Sequence, residues 1–172
     1  TAPAPRDGDA AGWLYHGSLA LRDRRSEVTL ERILEDSKQS VFLDVNLRDP
    51  WWNAASLQTH LLRAQWVKLN DIELDHLAPG GGDEQTRALR LMEKTGLAGL
   101  VLTRGARGAM IMGPEGVMAQ ASVPESVTVL DTVGAGDAFA AVMLLALGQN
   151  WSMHQGLDRA LSFAAAVCGL RG

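Results

Sequence analysis

Nine consecutive residues, Asp131-Thr132-Val133-Gly134-Ala135-Gly136-Asp137-Ala138-Phe139, have types and spacing suited to handling a phosphate. They follow an apolar, β-branched run (Val127, Val129, Leu130) and open an apolar segment from Phe139 to Leu147, which predicts a turn between a strand and a helix. Gly134 and Gly136 would let the backbone come close to a ligand. The first amides of the helix have no intrahelical partner and lie at the positive end of its dipole, where anions are favoured. Asp137 falls in that first turn. A carboxylate there can cap the helix, or it can take a proton from a hydroxyl that attacks a phosphorus held by those amides.

The stretch resembles the signature D-T-x-G-A-G-D-x-F of the ribokinase-like (PfkB) sugar kinases, with every fixed position met. The resemblance implies that Asp137 is the catalytic base and that Gly134, Ala135 and Gly136 form an anion hole. It also implies ATP and Mg²⁺, with K⁺ as a further ion beside the hole, held by the carboxylate of Asp131 and the backbone of Val133. By the same resemblance the chain is the C-terminal portion, residues 1–172, of a single kinase domain. The N-terminal sugar-contacting part and the β lid are expected to be absent, and the isolated fragment is expected to be inactive toward sugar.

Composition sets the bounds on other classes. A chain of 172 residues with 47% hydrophobic content can bury one sizeable core. A net charge of −4 gives no electrostatic footprint for nucleic acid or anionic lipid. No apolar run approaches the ~20 residues that span a bilayer, and no export signal opens the chain, so the expected partners include neither nucleic acid nor membrane. The only cysteine, Cys168, lies in an apolar helical run and reads as a buried thiol in a cytoplasmic protein. Residues 1–11 read as a flexible lead-in, and both ends look cut.

The elements that must hold the turn alternate between strand and helix. Trp13 to His16 reads as a short buried strand, and Leu30, Ile33 and Leu34 recur at helical spacing between Ser26 and Ser37. Val41 to Val45 is the next strand, and polar Asn46 and Arg48 follow at the edge where open parallel sheets gather ligands. Arg48 offers a fork of donors for an anionic or hydroxyl-rich ligand; taken alone it is equally a solvated arginine beside Pro50. The run Asp44 to Trp52 is similar to the fructokinase and 2-keto-3-deoxygluconate kinase branches of the family. Trp51 and Trp52 either stack on a sugar or cover a core edge.

A helix from Leu57 to Ala64 and a strand from Trp66 to Leu69 lead to Asn70 and Glu73, at the spacing of a capping box. The pair also matches the family's N-x-x-E, which implies a role for Glu73 near Mg²⁺ through water and for Asn70 near the nucleotide. Asp83 caps a helix that ends near Thr95 and Gly96. Leu100 to Leu102 and Ala109 to Met112 are strands around a turn where the family's T-x-G implies nucleotide contacts from Thr103 and Gly105. A Gly-rich hairpin would look the same. Arg104 and Arg107 read as solvated. Gly113 to Gly116 is a hairpin turn into Val117 to Ala121, and helices run from the nine-residue turn to Gly148 and from Ser152 to about Gly169.

This alternation predicts an α/β fold: a three-layer α/β/α sheet, mainly parallel, with an antiparallel edge hairpin. A dinucleotide-binding fingerprint fails because Phe139 occupies the sixth position from Gly134, and no P-loop motif is present. Strands missing from such a sheet would leave an open edge, suited to a homodimer or to pairing with another chain.

Overall fold

The computed structural model describes residues 12–124 and 130–170. Six strands form one sheet in the order β1 (Trp13–Gly17), β2 (Ser40–Asp44), β3 (Trp66–Asn70), β4 (Gly99–Thr103), β5 (Ala109–Gly113) and β6 (Gly116–Ala121). The first four run parallel, and β5 and β6 complete the sheet antiparallel, as the alternation predicts. Helices α1 (Arg24–Asp36), α2 (Ala54–Arg63), α3 (Asp71–Leu77) and α4 (Glu84–Thr95) connect the parallel strands, and α5 (Ala135–Gly148) and α6 (Met153–Cys168) follow the hairpin.

Alternation along each strand builds two cores. Val41, Leu43, Val67, Leu69, Leu100 and Leu102 face Leu57 and Leu61 of α2, Leu74 of α3 and Leu91 and Met92 of α4. Their neighbours Phe42, Trp66, Val101 and Ile111 point the other way, onto Phe139 and Met143 of α5 and Leu157 and Ala160 of α6. Trp66 is 1% exposed. It lies flat because Gly99 stands beside it on β4, where a Cβ would come within 2.3 Å of the indole.

Three expectations need correction. The β1 strand is an edge rather than a buried element: among the described residues it pairs only with β2, and Tyr15 is 41% exposed. Cys168 is half-buried, because it sits in the last turn of α6, where the helix leaves the core. The first helix starts two residues before Ser26, since Asp23, not Ser26, caps it by accepting from the amides of Arg25 and Ser26. Of the strand expected before the glycine turn, residues 125–129 lie outside the described residues, and Leu130 is in a bend. The lead-in expected at residues 1–11 lies outside them as well.

His16 of β1 and His60 of α2 meet edge to face under the first core, ring centroids 5.2 Å apart, and both are buried. Burial, helped by the neighbouring His60, lowers the His16 pKa from 6.5 to about 4, and burial lowers that of His60. A folded-state value below the unfolded one means that the unfolded chain takes up the proton first. The resulting stability is full above about pH 6.5 and is lost as pH falls toward 4. Thermal melts at pH 7.5 and 5.5 should therefore show a midpoint drop that is smaller in His16→Leu than in the unaltered chain.

Candidate active site

The glycine turn is set by backbone geometry. Gly134 is the N-cap of α5 with φ 81°, a left-handed conformation that costs a residue with a Cβ about 1–2 kcal/mol. The segment that enters the turn is anchored to the end of α6, where the Cys168 carbonyl accepts from the amides of Leu130 (2.8 Å) and Asp131 (3.1 Å). The Asp131 carboxylate then accepts from the amide of Val133 at 3.0 Å.

Caps distinguish this helix from the others. Asp23, Asn53, Asn70, Asp83 and Ser152 each cap their helices with a side-chain oxygen, whereas α5 has no side-chain cap. The amide of Ala135 reaches the Thr132 carbonyl at 3.3 Å. Those of Gly136 and Asp137 have no partner among the described residues, and the Asp137 side chain is exposed. Of the two readings open for Asp137, the capping one is not realised.

Beneath the turn lies a charged row that the sequence reading missed. The parallel register sets Asp44 beside Lys68, on the face that carries Phe42 and Trp66. The Lys68 ammonium donates to Asp44 Oδ1 at 2.6 Å, and the Tyr15 hydroxyl donates to Asp44 Oδ2 at 3.1 Å. The two side chains of the ion pair are 9% and 7% exposed. A Cβ placed on Gly136 would lie 3.6 Å from Lys68 Nζ, so the ammonium abuts the first turn of α5. Burial pushes the Asp44 carboxyl up, and the lysine and tyrosine bonds pull it back. Burial first, then the Asp44 charge and hydrogen bond, and last the charge of Asp137, push the Tyr15 phenol up, so it remains a donor. The missed signal was a lysine inside the apolar strand Trp66-Val67-Lys68-Leu69.

The remaining candidates line the same edge of the sheet. Asn70 and Glu73 form a complete capping box, the Asn70 side chain accepting from the Glu73 amide and Glu73 Oε2 from the Asn70 amide, each at 2.8 Å. Glu73 Oε1 also accepts from the amide of Leu47 at 3.1 Å, which ties the β2–α2 loop to α3. Burial pushes the Glu73 carboxyl up, against those two amides and Lys68. Thr103 stands opposite Asn70 in the sheet, its hydroxyl donating to the Leu69 carbonyl at 3.4 Å, and Gly105 opens the next turn. Asn46 and Arg48 bond to each other, Nε to Oδ1, at 3.0 Å.

Trp52 packs against the first core and donates to Asp49, while Trp51 is 58% exposed. Both line a cleft of about 290 Å³ with Ser18, Glu27 and Asn53 that includes none of the glycine-turn residues. Arg104 is not solvated. Its side chain is 11% exposed and turned toward Glu84, and Arg107 bridges Asp71 and Glu84.

An open α/β sheet with an uncapped helix N-terminus at its carboxyl edge is an anion-binding architecture. The chain belongs to the pfkB family of carbohydrate kinases, whose pattern matches residues 9–172. It is 32% identical over 164 residues to aminoimidazole riboside kinase of Salmonella typhimurium, a match covering 91% of this chain and 50% of that one. It is 32% identical over 155 residues to fructokinase of Rhizobium leguminosarum bv. trifolii, covering 86% and 46%. Among solved structures, a double mutant of Vibrio cholerae fructokinase with fructose, ADP and potassium superposes with a TM-score of 0.76 at 26% identity, over 95% of this chain and 56% of that one. The chain spans about half the length of the curated relatives it matches.

The two glycines of the turn should respond differently to the same change. In urea unfolding, Gly134→Ala should lose about 1–2 kcal/mol from its positive φ. Gly136→Ala, whose methyl group would meet Lys68 at an ordinary contact distance, should keep its stability or gain up to about 1 kcal/mol of helix propensity.

Proposed function

We propose that these residues are the nucleotide-facing half of an ATP-dependent sugar kinase, a phosphotransferase with an alcohol acceptor. The observation that carries this is an exposed Asp137 beside the Gly136 and Asp137 amides, which have no partner among the described residues. In the reaction the sugar hydroxyl oxygen bonds to the γ-phosphorus, the bond to the departing ADP oxygen breaks, and the hydroxyl proton passes to Asp137. The amides of the Gly134-Ala135-Gly136 turn receive the charge that develops on the phosphoryl oxygens, Ala135 exchanging its 3.3 Å bond to the Thr132 carbonyl for the ligand, worth roughly 3–4 kcal/mol per donor by analogy with other oxyanion holes. Positioning and charge stabilisation dominate phosphoryl transfer, so this cradle outweighs the base.

Asn70, Thr103 and Gly105 lie along the sheet edge where the rest of the nucleotide would extend, and Asn46 and Arg48 are the sugar-side candidates. Each Glu73 oxygen carries one amide and retains a lone pair for water, which suits Mg²⁺ held through its hydration shell. Bound there, the ion would screen the phosphate charges. Asp131 and the Val133 carbonyl supply hard oxygens for K⁺.

Fructose is the first choice of sugar, from the Asp44 to Trp52 stretch and the fructokinase relatives, and 2-keto-3-deoxygluconate is the second. The aminoimidazole riboside kinase relative keeps a nucleoside acceptor in play. With Asn46 and Arg48 as the sugar-side candidates and the rest of the site facing the nucleotide, these residues in isolation are expected to act as a nucleotide-binding fragment. The edge of β1, unpaired among the described residues, suits a homodimer or another chain, and the cytoplasm is the proposed compartment.

In a protein that carries the whole kinase domain, ADP release against a panel of sugars identifies the acceptor. Asp137→Asn should lower turnover by roughly 10²–10⁴-fold and leave ATP affinity within a few-fold. Near-normal turnover in that variant would remove Asp137 as the base.

A further inference from the structure

The Asp44–Lys68 pair is out of place in its surroundings. Around it, the face of the sheet toward α5 and α6 is apolar: Phe42, Trp66, Val101, Ala109 and Ile111. Taking two charges out of water there is no better for folding than an apolar pair of the same size. Lys68 has three donors, and among the described residues one of them is used, in the bond to Asp44. Its ammonium also abuts the end of α5 that already carries positive potential from a 14-residue helix. Two like-signed groups face each other; Asp44 is the carboxylate in contact with the ammonium, and Glu73 and Asp137 act on the row only through space. An anion seated in the turn would resolve the conflict from the other side.

We propose that Lys68 is a positioning residue for anion binding: Asp44, itself held by Tyr15, fixes the ammonium behind the Gly136 and Asp137 amides, so that the turn grips a phosphoryl group more tightly than a bare helix end. The inference rests on the kinase reading for the identity of the anion, but it is tested without turnover. The sequence order supports the arrangement, since Tyr15, Asp44 and Lys68 come from three adjacent parallel strands and the bonds run in one line from the sheet edge to the helix.

The probe is inorganic triphosphate, titrated into the chain while the amide resonances of Gly136 and Asp137 are followed. Lys68→Met combined with Asp44→Asn removes both charges and leaves no buried ion unpaired. It should weaken binding at those amides at least roughly tenfold, the effect of one unit charge at close range. Lys68→Arg should restore affinity to within about threefold, which a purely space-filling role would not require. Should the double variant fail to fold, Lys68→Gln, which keeps a donor for Asp44 and loses the ammonium charge, takes its place, with a larger loss expected because Asp44 then keeps an uncompensated negative charge. Unchanged affinity in a folded, charge-free variant overturns the role of Lys68 and leaves the kinase reading standing. Absence of any shift at Gly136 and Asp137 in the unaltered chain at millimolar triphosphate also overturns it, while the Asp137→Asn turnover assay judges the kinase reading separately.

Discussion

An α-helix cannot satisfy the amides of its own first turn, and the placement of one such unsatisfied turn governs this structure. In five helices a side-chain oxygen closes the gap. In α5 the cap residue is a glycine that has nothing to offer, and the backbone conformation that requires a glycine there also keeps a capping side chain away. The Gly136 and Asp137 amides, without a partner among the described residues, stand at the carboxyl edge of a parallel sheet, the position from which neighbouring strands and loops can contribute side chains to one ligand.

The rest of the edge is organised around that opening. Glu73 joins the start of α3 to the loop after β2 through two amides, so the polar loop carrying Asn46 and Arg48 is held in register with the end of β3. Trp66 lying against Gly99 brings β3 and β4 close together beneath the second core. The carbonyl of Cys168 grips Leu130 and Asp131 at the approach to the turn, so α6 positions the site although it carries none of the proposed catalytic groups.

Much of this was legible from residue types. The alternation of periods gave the layers and the antiparallel hairpin; Asn70 with Glu73, and Asp83 with Gly96, marked helix ends by local chemistry that tertiary packing did not override. What escaped was non-local. Lys68 reads as a surface lysine until the register places Asp44 beside it, and Tyr15 reads as a core residue until β1 is seen to be an edge. Arg104 likewise looks solvated in a glycine-rich turn, and only the approach of α4 brings Glu84 to it. A single strand does not announce its neighbours, and cross-strand charge pairs depend on neighbours alone.

The position of Tyr15 on the outermost strand has a further bearing on the electrostatics. Its phenol is the solvent-side end of the contacts that run through Asp44 and Lys68 to the head of α5. A strand laid along β1 would remove water from that phenol and lower the local dielectric along the row, strengthening every charge interaction between the flank of the molecule and the turn. A contact at one side of the sheet would thereby tune how firmly the proposed amide cradle could hold an anion, with no atom of the cradle having to move.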